Sequence, residues 1–398
     1  MPEGVAGPPL RLARLTLSRF RSYAALTWRP SAAVIVLHGP NGSGKTNLLE
    51  AISLLVPGRG LRGARIADLA RRGESTWAVA GRLQTPDGAV DIGTGTPPEG
   101  PADRRTFRLD GATPRSQAEI AARVSAVWLT PQMDRLFQEG ASGRRRFLDR
   151  LVYALEPGHA REVAAHDTAM AGRNRLLAVG RADPAWLAGL EEQMARHAVA
   201  ATAARAALVA RLNAALAAGA AAPFPSARLV LLDPIAERLA AEPALAVEDW
   251  LRTGLATNRA RDAAAGGAAL GAHRADMALE DVETGLAAAL ASTGQQKALL
   301  IGVVLGHAAL LAEARGFAPL LLLDEPTVHL DADRRAALFT ALLRLPAQAI
   351  LTGADRDIFL PLAGRAEAWE VASGTLLPDP GFPPPDPDAS GAVAAHPI

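Results

Sequence analysis

Between Leu10 and Trp28 apolar and polar residues alternate, the apolar ones including Leu12, Leu15, Leu17, then Phe20, Tyr23 and Leu26. That period predicts two strands of a hairpin or meander. Ala33 to Leu37 is a short apolar run, read as a buried strand ending at Gly39, and Thr46 to Leu55 then carries a helical pattern. Trp77 to Leu109 alternates again, with turn signals at Pro86-Asp87-Gly88 and Asp110-Gly111, and predicts a small sheet; Thr94 to Asp103 is read as a loose Gly/Pro-rich loop. Val124 to Thr130 is another buried strand. From Ser142 to Leu216 the pattern is helical throughout, divided by Pro157-Gly158 and Asp183-Pro184 into three helices. Ala227 to Leu232 reads as a strand and Val247 to Ala260 as a helix. The α/β rhythm then returns: helix from Lys297, strand at Leu320 to Leu323, helix from Asp331, strand at Gln348 to Leu351. From Pro378 onward Pro, Asp and Ala dominate, which predicts a disordered tail.

Composition narrows the reading. The chain has 398 residues, enough for two lobes. Aromatics make up only 4%, so Ala, Leu and Val must build the core, which favours packed helices. The net charge of +1 gives no global field toward nucleic acid, so any such binding must come from local arginine patches. There is no cysteine, which excludes disulfides, thiolate metal sites and cysteine nucleophiles. Met1 to Pro9 shows no basic-then-apolar leader, and the apolar stretch Ala298 to Ala312 is too short to span a bilayer. No membrane association and a cytoplasmic location are therefore expected.

Only two lysines occur, Lys45 and Lys297, against forty arginines. Lys45 closes Gly39-Pro40-Asn41-Gly42-Ser43-Gly44-Lys45-Thr46, which fits G-x-x-x-x-G-K-[ST] between a predicted strand and a predicted helix. The glycines let backbone amides face one anion. A compact ammonium then meets the phosphates, and the Thr46 hydroxyl is placed for Mg²⁺. Leu320 to Leu323 ends in Asp324-Glu325, two acids at the carboxyl end of a buried strand. Asp324 is placed to hold Mg²⁺ and Glu325 to orient and deprotonate water. Lys297 closes Ser292-Thr293-Gly294-Gln295-Gln296-Lys297, a second helix start suited to an anion, or alternatively a plain helix cap. One nucleotide needs only one such surface from its own chain, so two suggest that a second subunit caps the first subunit's ATP.

After Glu325 comes Pro326-Thr327-Val328-His329-Leu330-Asp331. The order of glycine loop, S-x-G-Q, apolar-Asp-Glu and His-Leu-Asp resembles the ABC-type ATPase head. That likeness implies nucleotide contacts from Gly39, Asn41, Gly42, Ser43, Gly44, Lys45, Thr46 and Asn47, and from Ser292, Gly294, Gln295 and Asp331. It implies metal contacts from Thr46, Asp324 and Gln132, and catalysis by Glu325, Lys45 and Asp324. Thr352 stands where such heads place a γ-phosphate sensor.

Within that group the chain resembles the RecF family, bacterial DNA gap-repair ATPases related to SMC proteins. The resemblance rests on Leu15-Thr16-Leu17-Ser18-Arg19-Phe20-Arg21-Ser22-Tyr23, on Gly39 through Ile52, and on Arg144-Arg145-Arg146-Phe147-Leu148-Asp149. Arg173-Asn174, Gly271-Ala272-His273-Arg274-Ala275-Asp276 and Ser292 to Lys297 add to it. It departs at Ala275, where the family reads an acid. The resemblance implies an α/β ABC-type P-loop ATPase head with a second, mainly helical inserted lobe. The expected divisions are head residues 1–130, insertion 131–270, head residues 271–377 and tail 378–398. It also implies ATP and Mg²⁺ as cofactors and an ATP-dependent homodimer. Duplex DNA and ssDNA–dsDNA junctions would be bound, with RecR as a partner and RecO as a further candidate. A transporter ATPase subunit or another SMC-like ATPase remains as an alternative. DNA-contact candidates fall in three arginine groups: Arg144 to Arg146; Arg62, Arg65, Arg71 and Arg72; and Arg104, Arg105 and Arg108. His273-Arg274 reads as a structural hydrogen-bonding corner.

Overall fold

The computed structural model describes residues 10–97, 99, 103–180 and 183–385. It divides into two compact units: residues 1–134, 219–224 and 300–398, and residues 135–218 and 225–299.

The first unit holds two sheets. The antiparallel one joins β1 (Arg11–Phe20), β2 (Tyr23–Trp28), β4 (Ala78–Thr85), β5 (Gly88–Gly95) and β6 (Thr106–Leu109) in the order β2-β1-β4-β5-β6. The second joins β3 (Val34–His38), β7 (Ala126–Leu129), β10 (Leu320–Leu323), β11 (Ala349–Gly353), β12 (Glu367–Ala372) and β13 (Thr375–Pro378) in the order β13-β12-β3-β11-β10-β7. All its pairings are parallel except β12 with β13. Strands β3, β7, β10 and β11 are buried at every position, as expected of parallel strands covered on both faces. Helix α1 (Lys45–Ser53) contacts strands of both sheets, and Leu48, Leu49 and Ile52 join the core that fuses them. Helices α2 (Gln117–Arg123) and α10 (Ala332–Arg344) also belong to this unit.

The second unit is built on α3 (Ala141–Leu155), α4 (His159–Val179) and α5 (Pro184–Ala217), with the antiparallel pair β8 (Ala227–Leu232) and β9 (Asp276–Asp281). Helices α6 (Pro234–Leu239), α7 (Ala244–Thr257) and α8 (Arg259–Ala265) complete it. Asp183 caps α5 by accepting from Ala185 N at 2.8 Å, with Pro184 in the first turn. Helix α9 (Thr293–Arg315) is divided between the units after Leu299.

Three expectations change. The boundary expected after residue 270 moves to 299, because β9 pairs with β8 and Asp276 is bound to Arg144 of α3. The S-x-G-Q motif thus belongs to the second unit rather than to the head. Thr94 and Gly95, expected in a loop, lie in β5 opposite Phe107 and Thr106 of β6; residues 98 and 100–102 of that loop lie outside the described residues. Of the expected disordered tail, residues 378–385 are placed: Phe382 is buried, and Asp379 N donates to Ala368 O at 3.0 Å. Residues 386–398 of that expected tail lie outside the described residues.

Among the described residues two helices, α5 and α9, are long and apolar enough to cross a membrane. The apolar window of α9 is 83% buried within the protein, as in a core helix.

Candidate nucleotide site

Strand β3 delivers the chain into the glycine loop, and α1 leaves it. Gly39 has φ 141°, and a Cβ there would meet Val371 O at 2.4 Å. Gly44 has φ 116°, and a Cβ would meet the Tyr23 hydroxyl at 2.8 Å. Both positions therefore require glycine. Tyr23 supports the loop from below: its hydroxyl donates to Gly44 O at 3.1 Å, and burial pushes its pKa up, which keeps it a donor.

The Lys45 ammonium is buried and donates to Gly39 O at 2.7 Å and Pro40 O at 3.0 Å. Burial lowers its pKa, and Glu325 and then Asp324 partly offset that by their negative charge. The Thr46 hydroxyl donates to Asp324 Oδ1 at 3.0 Å. Ser43 Oγ is buried with no hydrogen-bond partner among the described residues.

Asp324 and Glu325 follow β10, between β7 and β11 in the sheet. Asp324 N donates to Leu129 O of β7 at 2.9 Å. Thr352, at the end of β11, is fully buried. Its hydroxyl donates to Asp324 Oδ1 at 2.7 Å and accepts from Glu325 N at 2.9 Å. Its hydroxyl is committed to the acid pair, where the sequence suggested a phosphate sensor. Glu325 has φ 48°, a left-handed conformation costly for a residue with a Cβ and typical of functional sites. A cavity of about 190 Å³ is lined by Asn41, Gly42, Gly44, Lys45, Thr46, Asn47, Arg62 and Glu325.

Gln132 lies in a short 3₁₀ turn (Pro131–Arg135) just beyond β7, at the sheet edge that carries Asp324, and is exposed. Asp331 caps α10, accepting from Arg334 N at 2.8 Å. In the second unit, Ser292 and Gln295 form a reciprocal cap: Gln295 N donates to Ser292 Oγ at 3.3 Å and Ser292 N to Gln295 Oε1 at 2.9 Å. Ser292 remains exposed, whereas Lys297 is buried within α9. Lys297 is thus a core residue of its helix.

The arginine groups separate. Arg144 is paired bidentately with Asp276, and Arg145 donates to Ala275 O. Arg105 points inward to Thr94 and to Leu54 O. Arg65, Arg71, Arg72, Arg104, Arg108 and Arg146 are exposed. Arg62 faces the cavity and donates to Asn47 Oδ1 at 2.9 Å. His273 Nε2 and Arg274 Nε both reach Ala268 O, at 2.9 and 3.2 Å, so this pair forms a hydrogen-bonded corner. Sequence reading missed the brace behind α1, where Arg21 donates twice to buried Glu50, at 2.8 Å each, and to Asp68 O at 2.7 Å. Arg21 lies in the quoted motif, but nothing in the spacing names Glu50 as its partner.

Residues 11–362 match the model of the family described as RecF/RecN/SMC N terminal domain. The chain is 48% identical over 371 residues to the DNA replication and repair protein RecF of Mesorhizobium japonicum, covering 92% of this chain and 97% of that protein. It is 46% identical over 368 residues to the protein of the same name from Agrobacterium fabrum, covering 92% and 98%. In structure it resembles the recombination mediator protein RecF-ATPrS of the RecFOR pathway, with a TM-score of 0.82 at 21% identity, over 94% of this chain and 99% of that one.

Proposed function

The chain belongs to the RecF family of DNA replication and repair proteins, and from that premise we propose the following cycle. It is a Mg²⁺-dependent ATPase whose nucleotide state controls its hold on DNA. One observation carries the reading. The Thr46 and Thr352 hydroxyls converge on one oxygen of Asp324, in the same site as buried Lys45 and left-handed Glu325.

The residues fit ATP. Gly39 and Gly44 admit no Cβ, so the loop stays bare backbone there, Ser43 offers a buried hydroxyl with no partner among the described residues, and Lys45 supplies a cation. They also fit Mg²⁺, a hard cation that keeps water and phosphate ligands and needs few protein oxygens. Thr46 and Asp324 would hold it, with Gln132 as a further ligand. No cluster of three or more His, Cys, Asp or Glu suited to a metal occurs among the described residues, in keeping with so sparse a donor set. When bound, Mg²⁺ neutralises phosphate charge and fixes the phosphates' orientation.

Loop amides from Asn41 to Thr46, with Lys45, hold the phosphates, and Asn47 and Arg62 close the rim. Glu325 orients the attacking water and takes its proton. Asp324, held by Thr352, keeps its carboxylate turned toward Thr46. Ser292, Gly294 and Gln295 of a second copy, with Asp331, cap the nucleotide, so ATP binding makes a homodimer and hydrolysis releases it. The dimer holds duplex DNA beside ssDNA–dsDNA junctions in the cytoplasm, and with RecR and RecO it loads a recombinase at gaps.

The test is ATP hydrolysis with Mg²⁺ or with EDTA, for wild type, Lys45→Ala and Glu325→Gln. Wild type turns over only with Mg²⁺, Lys45→Ala loses nucleotide binding, and Glu325→Gln binds but loses about 10²–10⁴-fold in kcat. An unchanged rate in Glu325→Gln would remove the base assignment.

A further inference from the structure

His38 is the last residue of β3 and directly precedes Gly39. Its side chain is 8% exposed, yet no hydrogen bond satisfies Nε2 among the described residues. What faces it is a carboxylate from the far end of the sequence: Asp379 Oδ2 lies 3.0 Å away, at ion-pair distance but outside hydrogen-bond geometry. The same oxygen lies 2.7 Å from Arg356 Nε. Asp379 is therefore held between two cationic or proton-bearing groups from different strands' ends.

The segment that carries Asp379 is itself fixed. Asp379 N donates to Ala368 O of β12, the strand beside β3, and Asp379 Oδ1 accepts from Gly381 N at 2.9 Å. Arg356 also donates to Gly381 O, Gly364 N donates to Pro383 O at 3.1 Å, and Phe382 is buried. Arg356 lies four residues after Thr352 on the loop leaving β11. One carboxylate thus joins the strand that launches the phosphate loop to the loop that follows β11, whose Thr352 bonds Asp324.

We propose that Asp379 and His38 are positioning residues for the phosphate loop, and that the segment after β13 sets the chain's affinity for a nucleoside triphosphate. The physical reason is preorganisation. With β3 clasped at its end, the loop amides need no ordering when phosphate arrives, and a bound state that needs less ordering is tighter. Asp379 touches no reacting atom, so its loss weakens ground and transition states equally. That raises KM and leaves kcat at saturation unchanged.

This inference rests on the proposed ATP site, and the experiment separates the two. ATP affinity with Mg²⁺, KM and kcat are measured on the full chain for wild type, Asp379→Asn, Asp379→Ala, His38→Leu, the His38→Leu/Asp379→Ala pair, and Lys45→Ala. Thermal unfolding is followed alongside. Asp379→Asn keeps the size while removing the charge and turning one acceptor oxygen into a donor NH2, so it stays informative if the alanine variant misfolds. Expected is a rise in the ATP Kd on the order of tenfold for each single variant, from losing one buried charged contact. The double variant is no worse than Asp379→Ala alone, because that variant has already lost the His38 contact, and kcat at saturation changes by less than about twofold. The clasp is overturned by unchanged Kd, by additive effects, or by kcat falling in step with melting temperature. If Lys45→Ala abolishes binding and Asp379→Asn leaves it intact, only the clasp fails. If wild type binds no ATP, both readings fail.

Discussion

At residue scale Thr352 connects the two acids. It donates a hydrogen bond to Asp324 and accepts one from the Glu325 amide, so one buried hydroxyl fixes the carboxylate proposed to hold the metal and the left-handed turn that follows it. Thr352→Val keeps the shape and deletes both bonds. Hydrogen bonds to charged groups contribute about 1.5–3 kcal/mol. Expressed in the transition state, that is a fall in kcat of roughly ten- to a hundredfold, to be read in steady-state ATPase assays with ATP binding checked separately. Sequence placed Thr352 at the right strand end but gave it a different partner. A position read from strand order carries no side-chain direction, and threonine at 2.7 Å from an acid is visible only in three dimensions. The glycine loop was legible for the opposite reason. Gly39 and Gly44 each answer a local backbone constraint, and local constraints leave a local signature.

At element scale the three helices between Ser142 and Leu216 were legible in the sequence, with the breaks at Pro157-Gly158 and Asp183-Pro184. What fastens them was not. Arg173 of α4 is fully buried and donates to Glu191 of α5 at 3.0 Å, to Asp262 of α8 at 2.8 Å and to Leu255 O at 2.7 Å. Arg259 adds a second bridge to Glu191 at 2.5 Å. The partners stand 18 and 89 residues from Arg173, separations that no periodicity encodes. Arg173→Met leaves two buried carboxylates short of a cation, which costs about 3–5 kcal/mol and is measured by urea unfolding. A second network couples this unit to pH. Asp149 meets His159 Nε2 at 2.8 Å and Arg205 at 2.7 Å. Burial by itself would raise the Asp149 pKa, but the bonds from His159 and Arg205 together outweigh it, and the pKa lies below the usual 3.8. A depressed carboxylate stabilises the fold above its unfolded value and loses that contribution as pH falls through the folded value. Wild type should therefore lose stability as pH drops below about 3.8, and Asp149→Asn should be less stable at neutral pH with a flatter acid limb. Melting temperature against pH decides it; parallel curves for the two proteins would sink the linkage.

At the scale of the whole molecule, chain order and compact units disagree in an informative way. The glycine loop, the acid pair and Thr352 belong to one unit, and the Ser292-to-Lys297 motif to the other. The resemblance implied that this motif belongs to the head, within residues 271–377, but β9 carries the chain back into the helical unit by pairing with β8. Strand pairing across some fifty residues is a long-range choice, which is why the boundary was not legible. Ser292 is exposed and forms the cap of α9 without Lys297, which is interior. An exposed helix start bearing a serine and a glycine can meet phosphate only from outside the helix. In the proposed dimer that phosphate belongs to the other copy. Ser292→Arg then fills the contact with a bulky side chain and leaves the phosphate loop of its own chain untouched. Ser292→Ala controls for the lost cap, worth about 1 kcal/mol. Mass in solution, by light scattering with ATP and Mg²⁺, should double for wild type and stay monomeric for Ser292→Arg. Ser292→Arg should still bind ATP, since Lys45 and Thr46 are intact. A gapped duplex should shift wild type further toward the dimer and leave Ser292→Arg unchanged. If Ser292→Arg dimerises as wild type does, the nucleotide is not shared between copies, and ATP must act on DNA binding within a single chain.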